Sequence, residues 1–86
     1  MKLKQQLIHR EIAGDHVLIP VGQLAQSHPG LFAVNEQAAF LWDNLAEAED
    51  ENQLLQLLLE TYEVDEATAK QDLDAFLGKL RELEIL

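Results

Sequence analysis

The segment Leu31-Phe32-Ala33-Val34-Asn35-Glu36 decides the fold, because in it an apolar run passes directly into a helix start. The first four residues are apolar and follow the chain-breaking pair Pro29-Gly30, which predicts a short β-strand. Asn35 is a favoured N-cap residue, and Glu36 places a negative charge in the first turn of a helix. The segment therefore predicts a strand joined without a loop to a helix that ends near Leu45.

The residues before this segment are typical of a β-hairpin. Residues 7–12 and 16–21 are two mainly apolar runs, and Ala13-Gly14-Asp15 between them is a turn in which Gly14 can take a positive φ. A loop is expected over residues 22–30. The sequence thus predicts a sheet of three short antiparallel strands, with one edge open unless another element covers it.

The residues after the segment predict two further helices. Asp50-Glu51-Asn52-Gln53 resembles a capping box and opens a helix that runs to Tyr62. Asp65 caps a third helix, whose last turn contains Lys79 and Arg81 and so complements the helix dipole. The strands precede these helices, which predicts one α+β domain over residues 1–86 with three strands followed by three helices.

The third helix carries one apolar stripe and a charged flank. At about 100° per residue, the stripe predicted to face the core contains Ala69, Leu73, Phe76, Leu80 and Leu83. At its edge and just beyond it, on one side, lie Leu77, Lys70, Asp74 and Arg81. We call this second group the charged shoulder. It is either an ordinary solvated flank or a surface that contacts a partner.

Charge and composition exclude several classes of function. The formal net charge is −10, and the stretch from Glu36 to Glu66 has ten acidic residues and no Lys or Arg, which disfavours binding to DNA. The chain has no cysteine and therefore no thiolate metal site or cysteine nucleophile. Runs of large apolar residues, such as Leu57-Leu58-Leu59, have no more than three members, so we expect a soluble, cytoplasmic protein that does not span a membrane.

No arrangement of side chains predicts catalysis. His9 and His16 could lie opposite each other on the hairpin, but two histidines alone make an incomplete zinc site, and we expect two surface imidazoles instead. The neighbours Ser27 and His28 are not a nucleophile and base pair by adjacency alone, and no glycine-rich phosphate loop is present. We therefore predict no catalytic residue, no metal and no cofactor.

Several segments of the chain together resemble the PqqD-like family. They are Arg10–Gly14, Val17–Gly22, Val34–Trp42, Tyr62–Asp65, Asp72-Leu73, Phe76-Leu77 and the terminal Leu83-Glu84-Ile85-Leu86. The family is named after pyrroloquinoline quinone synthesis protein D, and its members are also called RiPP recognition elements. Its typical run Leu-Asn-Glu-Thr-Gly-Ala departs here to Val34-Asn35-Glu36-Gln37-Ala38-Ala39. The resemblance implies a winged helix-turn-helix-like fold.

The resemblance also implies a function, the binding of the leader segment of a ribosomally made precursor peptide. The leader would add a strand to the third strand, in the groove that faces the third helix, and a modifying enzyme, often a radical SAM maturase, would act on the peptide. Either Leu31 and Ala33 or Phe32 and Val34 would receive apolar leader side chains. The residues expected on the helix side are Leu73 and Leu77 for the opposite wall, and Lys70, Asp74 and Arg81 to read charge.

Two other functions remain open on the sequence. A DNA-binding winged helix shares the fold, but its recognition helix needs a basic face, and here the cations are diluted by Asp72, Asp74 and Glu82. A regulatory subunit could instead dock onto an enzyme through the acidic first and second helices. In either case the open strand edge could also pair with another copy of the chain and form a homodimer.

Overall fold

The computed structural model describes all 86 residues and has an α+β architecture. Its elements in chain order are β1 (Gln6–Ile12), β2 (Asp15–Val21), α1 (Gln23–Ser27), β3 (Phe32–Val34), α2 (Glu36–Leu45), α3 (Glu51–Thr61) and α4 (Glu66–Glu82). The sheet is antiparallel with the order β1-β2-β3, as predicted. None of the helices combines the length and the apolar character needed to cross a bilayer.

One helix was missed, because α1 lies inside the region predicted to be a loop. It has only five residues and no side-chain cap, so neither periodicity nor a capping residue marks it in the sequence. Its one buried side chain, Leu24, is 1% exposed and belongs to the main core. Burial of this leucine, rather than local helix propensity, is the interaction that accounts for this turn of helix.

The hairpin of β1 and β2 closes through a two-residue turn. Ile12 pairs with Asp15, so the turn consists of Ala13 and Gly14 only. Both have positive φ, 52° for Ala13 and 86° for Gly14. Positive φ at both central residues defines a type I′ turn, whose twist matches that of the flanking strands. The positive φ of Gly14 was predicted, whereas that of Ala13 was not.

The predicted N-caps of the three long helices are confirmed. Asn35 Oδ1 accepts a 2.8 Å hydrogen bond from the Ala38 N–H, which closes the first turn of α2 directly after β3. Asp50 caps α3 and Asp65 caps α4 in the same way, each through a bond from the N–H three residues on. Hydrogen bonds from Thr68, first from its side chain and then from its backbone, hold the pKa of Asp65 below its ordinary value.

The core lies between the inner face of the sheet and the helices, and it contains 15 buried apolar residues. Trp42 belongs to it with Leu41 and Leu45, as predicted. In α4 the residues with fully buried side chains are Ala69, Leu73, Leu77 and Leu80. Phe76 and Leu83, which were predicted to belong to the same core stripe, are only half-buried at its edge. The buried stripe of α4 is therefore rotated towards Leu77.

Candidate functional site

The strand β3 is an edge strand with one unpaired side. It pairs with β2 through Phe32 opposite Leu18, Ala33 opposite Val17 and Val34 opposite His16, and no strand lies on its other side. In an antiparallel strand the N–H and C=O groups of alternate residues point to opposite sides. The free side of β3 therefore presents backbone donors and acceptors that another strand can bind.

An apolar groove lies directly beside this free edge, between β3 and α4. It encloses about 150 Å³ and eight of its nine lining residues are hydrophobic. The residues that line it are Leu7, Leu18, Phe32, Ala33, Val34, Phe76, Lys79, Leu80 and Leu83. We call it the β3–α4 groove. A strand that pairs with β3 would place every second side chain over it.

The alternation of β3 decides which of its side chains face the helix. Phe32 and Val34 are half-buried and lie on the inner face of the sheet, opposite Leu18 and His16 of β2. Ala33 borders the groove but is exposed. Leu31 precedes β3, is 53% exposed and does not line the groove. The pair on the groove side is thus Phe32 and Val34, and the expected strand residue Leu31 lies outside both strand and groove.

The helix side of the groove differs from the one expected. Leu73 is 2% exposed and Leu77 is 0% exposed, so both are core residues, and neither lines the groove. The half-buried Phe76 and Leu83 take that place, together with Lys79. These three residues lie on the flank of α4 opposite to the charged shoulder. Phe76 and Leu83 could be identified in the sequence as members of the apolar stripe of this helix. The prediction placed them in the core and not in the groove.

The charged shoulder faces α3 and not β3. Arg81 Nη2 donates to Glu51 Oε1 of α3 at 2.5 Å. Lys70 and Asp74 line a separate depression of about 250 Å³ between α3 and α4. This placement corrects the expectation that Lys70, Asp74 and Arg81 read charge in the groove beside β3. Arg81 instead joins α4 to α3, and Lys70 and Asp74 lie beside α3.

The groove continues past the end of β3 along α4. A second depression, of about 200 Å³, lies between the start of α2 and α4 and shares Phe76 with the first. Its residues are Asn35, Gln37, Ala38, Leu41, Asp72, Ala75 and Phe76. We call it the α2 extension. The two depressions are adjacent, because Phe76 lines both, and we call the two together the furrow. Its lining is almost entirely apolar beside β3 and mixes apolar and polar residues beside α2.

The two histidines of the hairpin form a cluster that does not line this furrow. His9 Nδ1 lies 3.0 Å from Asp43 Oδ1 of α2, and His9 Nε2 lies 3.0 Å from His16 Nδ1. The two rings are diagonal neighbours rather than opposite, because His9 pairs with Leu18 and Glu11 pairs with His16. A carboxylate only accepts, so His9 Nδ1–H donates to Asp43, and a second hydrogen bond joins His9 Nε2 and His16 Nδ1. No group of three or more metal-ligating side chains is placed to hold an ion.

Comparison with known proteins identifies both a family and a fold. The family model described as "Coenzyme PQQ synthesis protein D (PqqD)" matches residues 15–86, which is most of the chain. A comparison with curated proteins found no match to the sequence.

Two solved structures superpose on nearly the whole chain. "TbiB1 in Complex with the TbiA(beta) Leader Peptide" has a TM-score of 0.72 at 23% identity and covers 100% of this chain and 94% of its own. "Lasso peptide synthetase B1 complexed with the leader peptide" also has a TM-score of 0.72, at 21% identity, and covers 98% of this chain and 93% of its own. At this identity the likeness confirms the fold.

Proposed function

The chain belongs to the PqqD family, as its sequence predicted, and from that premise we propose that it binds the leader segment of a ribosomally synthesised precursor peptide and presents the peptide to a modifying enzyme. One observation carries this proposal. The free edge of β3 borders an apolar groove, so a peptide strand can pair with the backbone and bury side chains at the same place.

The length of β3 indicates how much of the binding free energy of a leader strand comes from backbone hydrogen bonds and how much from buried side chains. The strand has only three residues, so an added strand gains few backbone hydrogen bonds, each worth about 0.5–1.5 kcal/mol net. An apolar side chain that becomes fully buried contributes about 1.5–3 kcal/mol. We therefore expect one or two apolar leader residues, held between Phe32 and Phe76, to supply most of the binding free energy.

The comparison structures support this proposal through what they contain. Both are described as complexes with a leader peptide, and both have the same fold as this chain. One of them is described as a lasso peptide synthetase B1. That the enzyme here is a radical SAM maturase stays a prediction, as do the cytoplasmic location and a homodimer formed through a strand edge.

We propose that the protein acts as an adaptor and not as a catalyst. The lining of the β3–α4 groove is apolar except for Lys79, which suits the burial of apolar peptide side chains. The DNA-binding alternative is not favoured, because the net charge of the chain is −10 and Arg81 of α4 pairs with Glu51. Docking to an enzyme through the acidic helices is compatible with leader binding, since an adaptor contacts its enzyme too.

The test is a titration of the labelled leader of a short precursor peptide encoded beside this gene, followed by fluorescence anisotropy. Phe76→Ala removes a groove side chain, and we expect it to weaken leader binding about tenfold or more, the equivalent of about 1.4 kcal/mol. The matched control is Leu59→Ala, which truncates another half-buried apolar residue, on α3 and outside the groove. It should leave the affinity within about twofold.

Two results would contradict the proposal. One is the absence of binding by the wild-type chain at high micromolar leader. The other is an equal loss of affinity in Phe76→Ala and Leu59→Ala. Such a result would mean that lower stability of the variants, and not the loss of a side chain from the groove, weakens leader binding. Circular dichroism of each variant establishes that the folded fraction is the same in every titration.

A further inference from the structure

We propose that the furrow recognises the order of charges in the leader. Lys79 binds an acidic side chain at one end of the furrow, and Asp72 binds a basic side chain at the other end. This inference rests on the proposed function. It adds a charge pattern, basic–apolar–acidic, that the leader must carry around its apolar anchor.

The two charges lie on one face of α4, at opposite ends of the furrow. Asp72, Phe76, Lys79 and Leu83 follow each other at spacings of three and four residues, so they share that face. Asp72 lines the α2 extension and Lys79 lines the β3–α4 groove, with Phe76 in both. Seven residues of helix separate the two charges by about 10.5 Å along the axis.

No other charged side chain lines the furrow. Apart from Asp72 and Lys79, its residues are apolar or, in the α2 extension, the neutral amides Asn35 and Gln37. The nearby start of α2 would attract an anion, but Glu36 in its first turn offsets the helix dipole, and Asn35 already accepts from the Ala38 N–H. The polarity of the furrow therefore follows from the two side chains of α4.

Both charges are available to a ligand. Asp72 is exposed and takes part in no ion pair. Lys79 Nζ lies 3.7 Å from Glu82 Oε2, and the two side chains are 65% and 72% exposed. An exposed ion pair of this kind contributes little free energy, so the ammonium group of Lys79 can turn from Glu82 towards a bound carboxylate.

The direction of β3 converts these positions into an order along the peptide. The chain passes from β3, which lines the same depression as Lys79, to Asn35, which lines the same depression as Asp72. Both existing strand pairs are antiparallel, so we infer an antiparallel leader strand, which runs from the Asp72 end to the Lys79 end. A strand rises about 3.3 Å per residue, and every second side chain lies on the groove side. The leader side chains two residues before and two residues after the apolar anchor are therefore far enough apart to reach Asp72 and Lys79, which are separated by about 10.5 Å along the axis of α4.

The experiment selects peptides from a displayed library of random 12-residue sequences on the full chain. We expect enriched sequences to carry Lys or Arg two residues before an apolar anchor and Asp or Glu two residues after it. A synthetic peptide of that pattern is then titrated into the wild type and into Asp72→Lys/Lys79→Glu, which exchanges the two charges at constant net charge.

The exchange should weaken this peptide about tenfold, since each of two attractions becomes a repulsion. It should also enrich the reversed charge order in a new selection. The matched control is Lys70→Glu/Asp74→Lys, an exchange of the same kind on the charged shoulder that faces α3. The control should keep the affinity within about twofold.

The outcomes separate this inference from the function on which it rests. Enriched peptides that Phe76→Ala weakens, but that show no charge order or the reversed order on the wild type, overturn the inference and leave leader binding intact. Equal losses in the two exchange variants overturn it as well. A selection that yields no peptide sensitive to Phe76→Ala contradicts the proposed function and this inference together.

Discussion

Phe76 and Leu77 are neighbours in the chain and have opposite roles in the structure. Phe76 is half-buried and lines both depressions of the furrow. Leu77 is 0% exposed and packs in the main core. On the sequence, Leu77 was expected to contact the leader. Its burial contradicts this expectation, because a side chain without solvent exposure cannot meet a peptide at the surface.

We predict that Leu77→Ala lowers the free energy of unfolding by about 2–5 kcal/mol, the usual cost of truncating a fully buried leucine. The affinity of the protein that remains folded should not change, because Leu77 does not line the furrow. Urea denaturation measures the first quantity, and leader titration below the melting temperature measures the second. A variant of wild-type stability that no longer binds the leader would show that Leu77 contacts the peptide after all.

At the scale of elements, capping residues and apolar runs bounded by turn residues predicted most of the fold. Asn35, Asp50 and Asp65 marked the starts of three helices, because a side-chain cap is a local interaction that the sequence displays. The short helix α1 has no such cap, and only its packing through Leu24 accounts for it. Capping residues in the sequence thus predicted the helices that a local side-chain cap stabilises, and they did not predict the helix that depends on packing.

The orientation of α4 is where prediction from the sequence failed. Residue spacing gives the angle of each side chain around a helix. It does not show which other helix or strand lies beside each flank of that helix. Both flanks of the apolar stripe carry charged residues, Lys70 and Asp74 on one and Asp72 and Lys79 on the other. Only the packing of α4 against α3, with the Arg81–Glu51 ion pair, shows which flank is left to face β3.

The turn of the β1–β2 hairpin contains a residue that is not suited to its backbone. Ala13 has a φ of 52°, in the left-handed region that costs an ordinary L-residue about 1–2 kcal/mol. Asparagine tolerates this region, and Asn-Gly is the preferred pair of type I′ turns. We predict that Ala13→Asn raises the free energy of unfolding by about 0.5–1 kcal/mol in urea denaturation.

A matched control for this variant is Ala67→Asn, at an exposed position in the first turn of α4. Asparagine is a poorer helix former than alanine, so this variant should be no more stable than the wild type. If Ala13→Asn is also no more stable, then the turn does not have the positive φ at Ala13 on which the prediction depends.

At the scale of the whole molecule, leader binding would complete the sheet. The three strands leave β3 exposed at one edge, and an added strand would make a four-stranded sheet and cover the apolar groove. The ten acidic residues from Glu36 to Glu66 lie in α2, in α3, in the segments that flank α3 and at the first residue of α4. The helices α2 and α3 can therefore contact an enzyme while β3 and α4 hold the peptide.

The most direct measurement of the central claim is an NMR study of the isotope-labelled chain with the unlabelled leader. We predict intermolecular nuclear Overhauser effects between leader backbone protons and Phe32–Val34, and between leader side chains and the ring of Phe76. The amides of Lys70, Asp74 and Arg81, which face α3, should shift little. Effects that connect the leader to α3 or to the free edge of β1, with none to β3, would contradict the account.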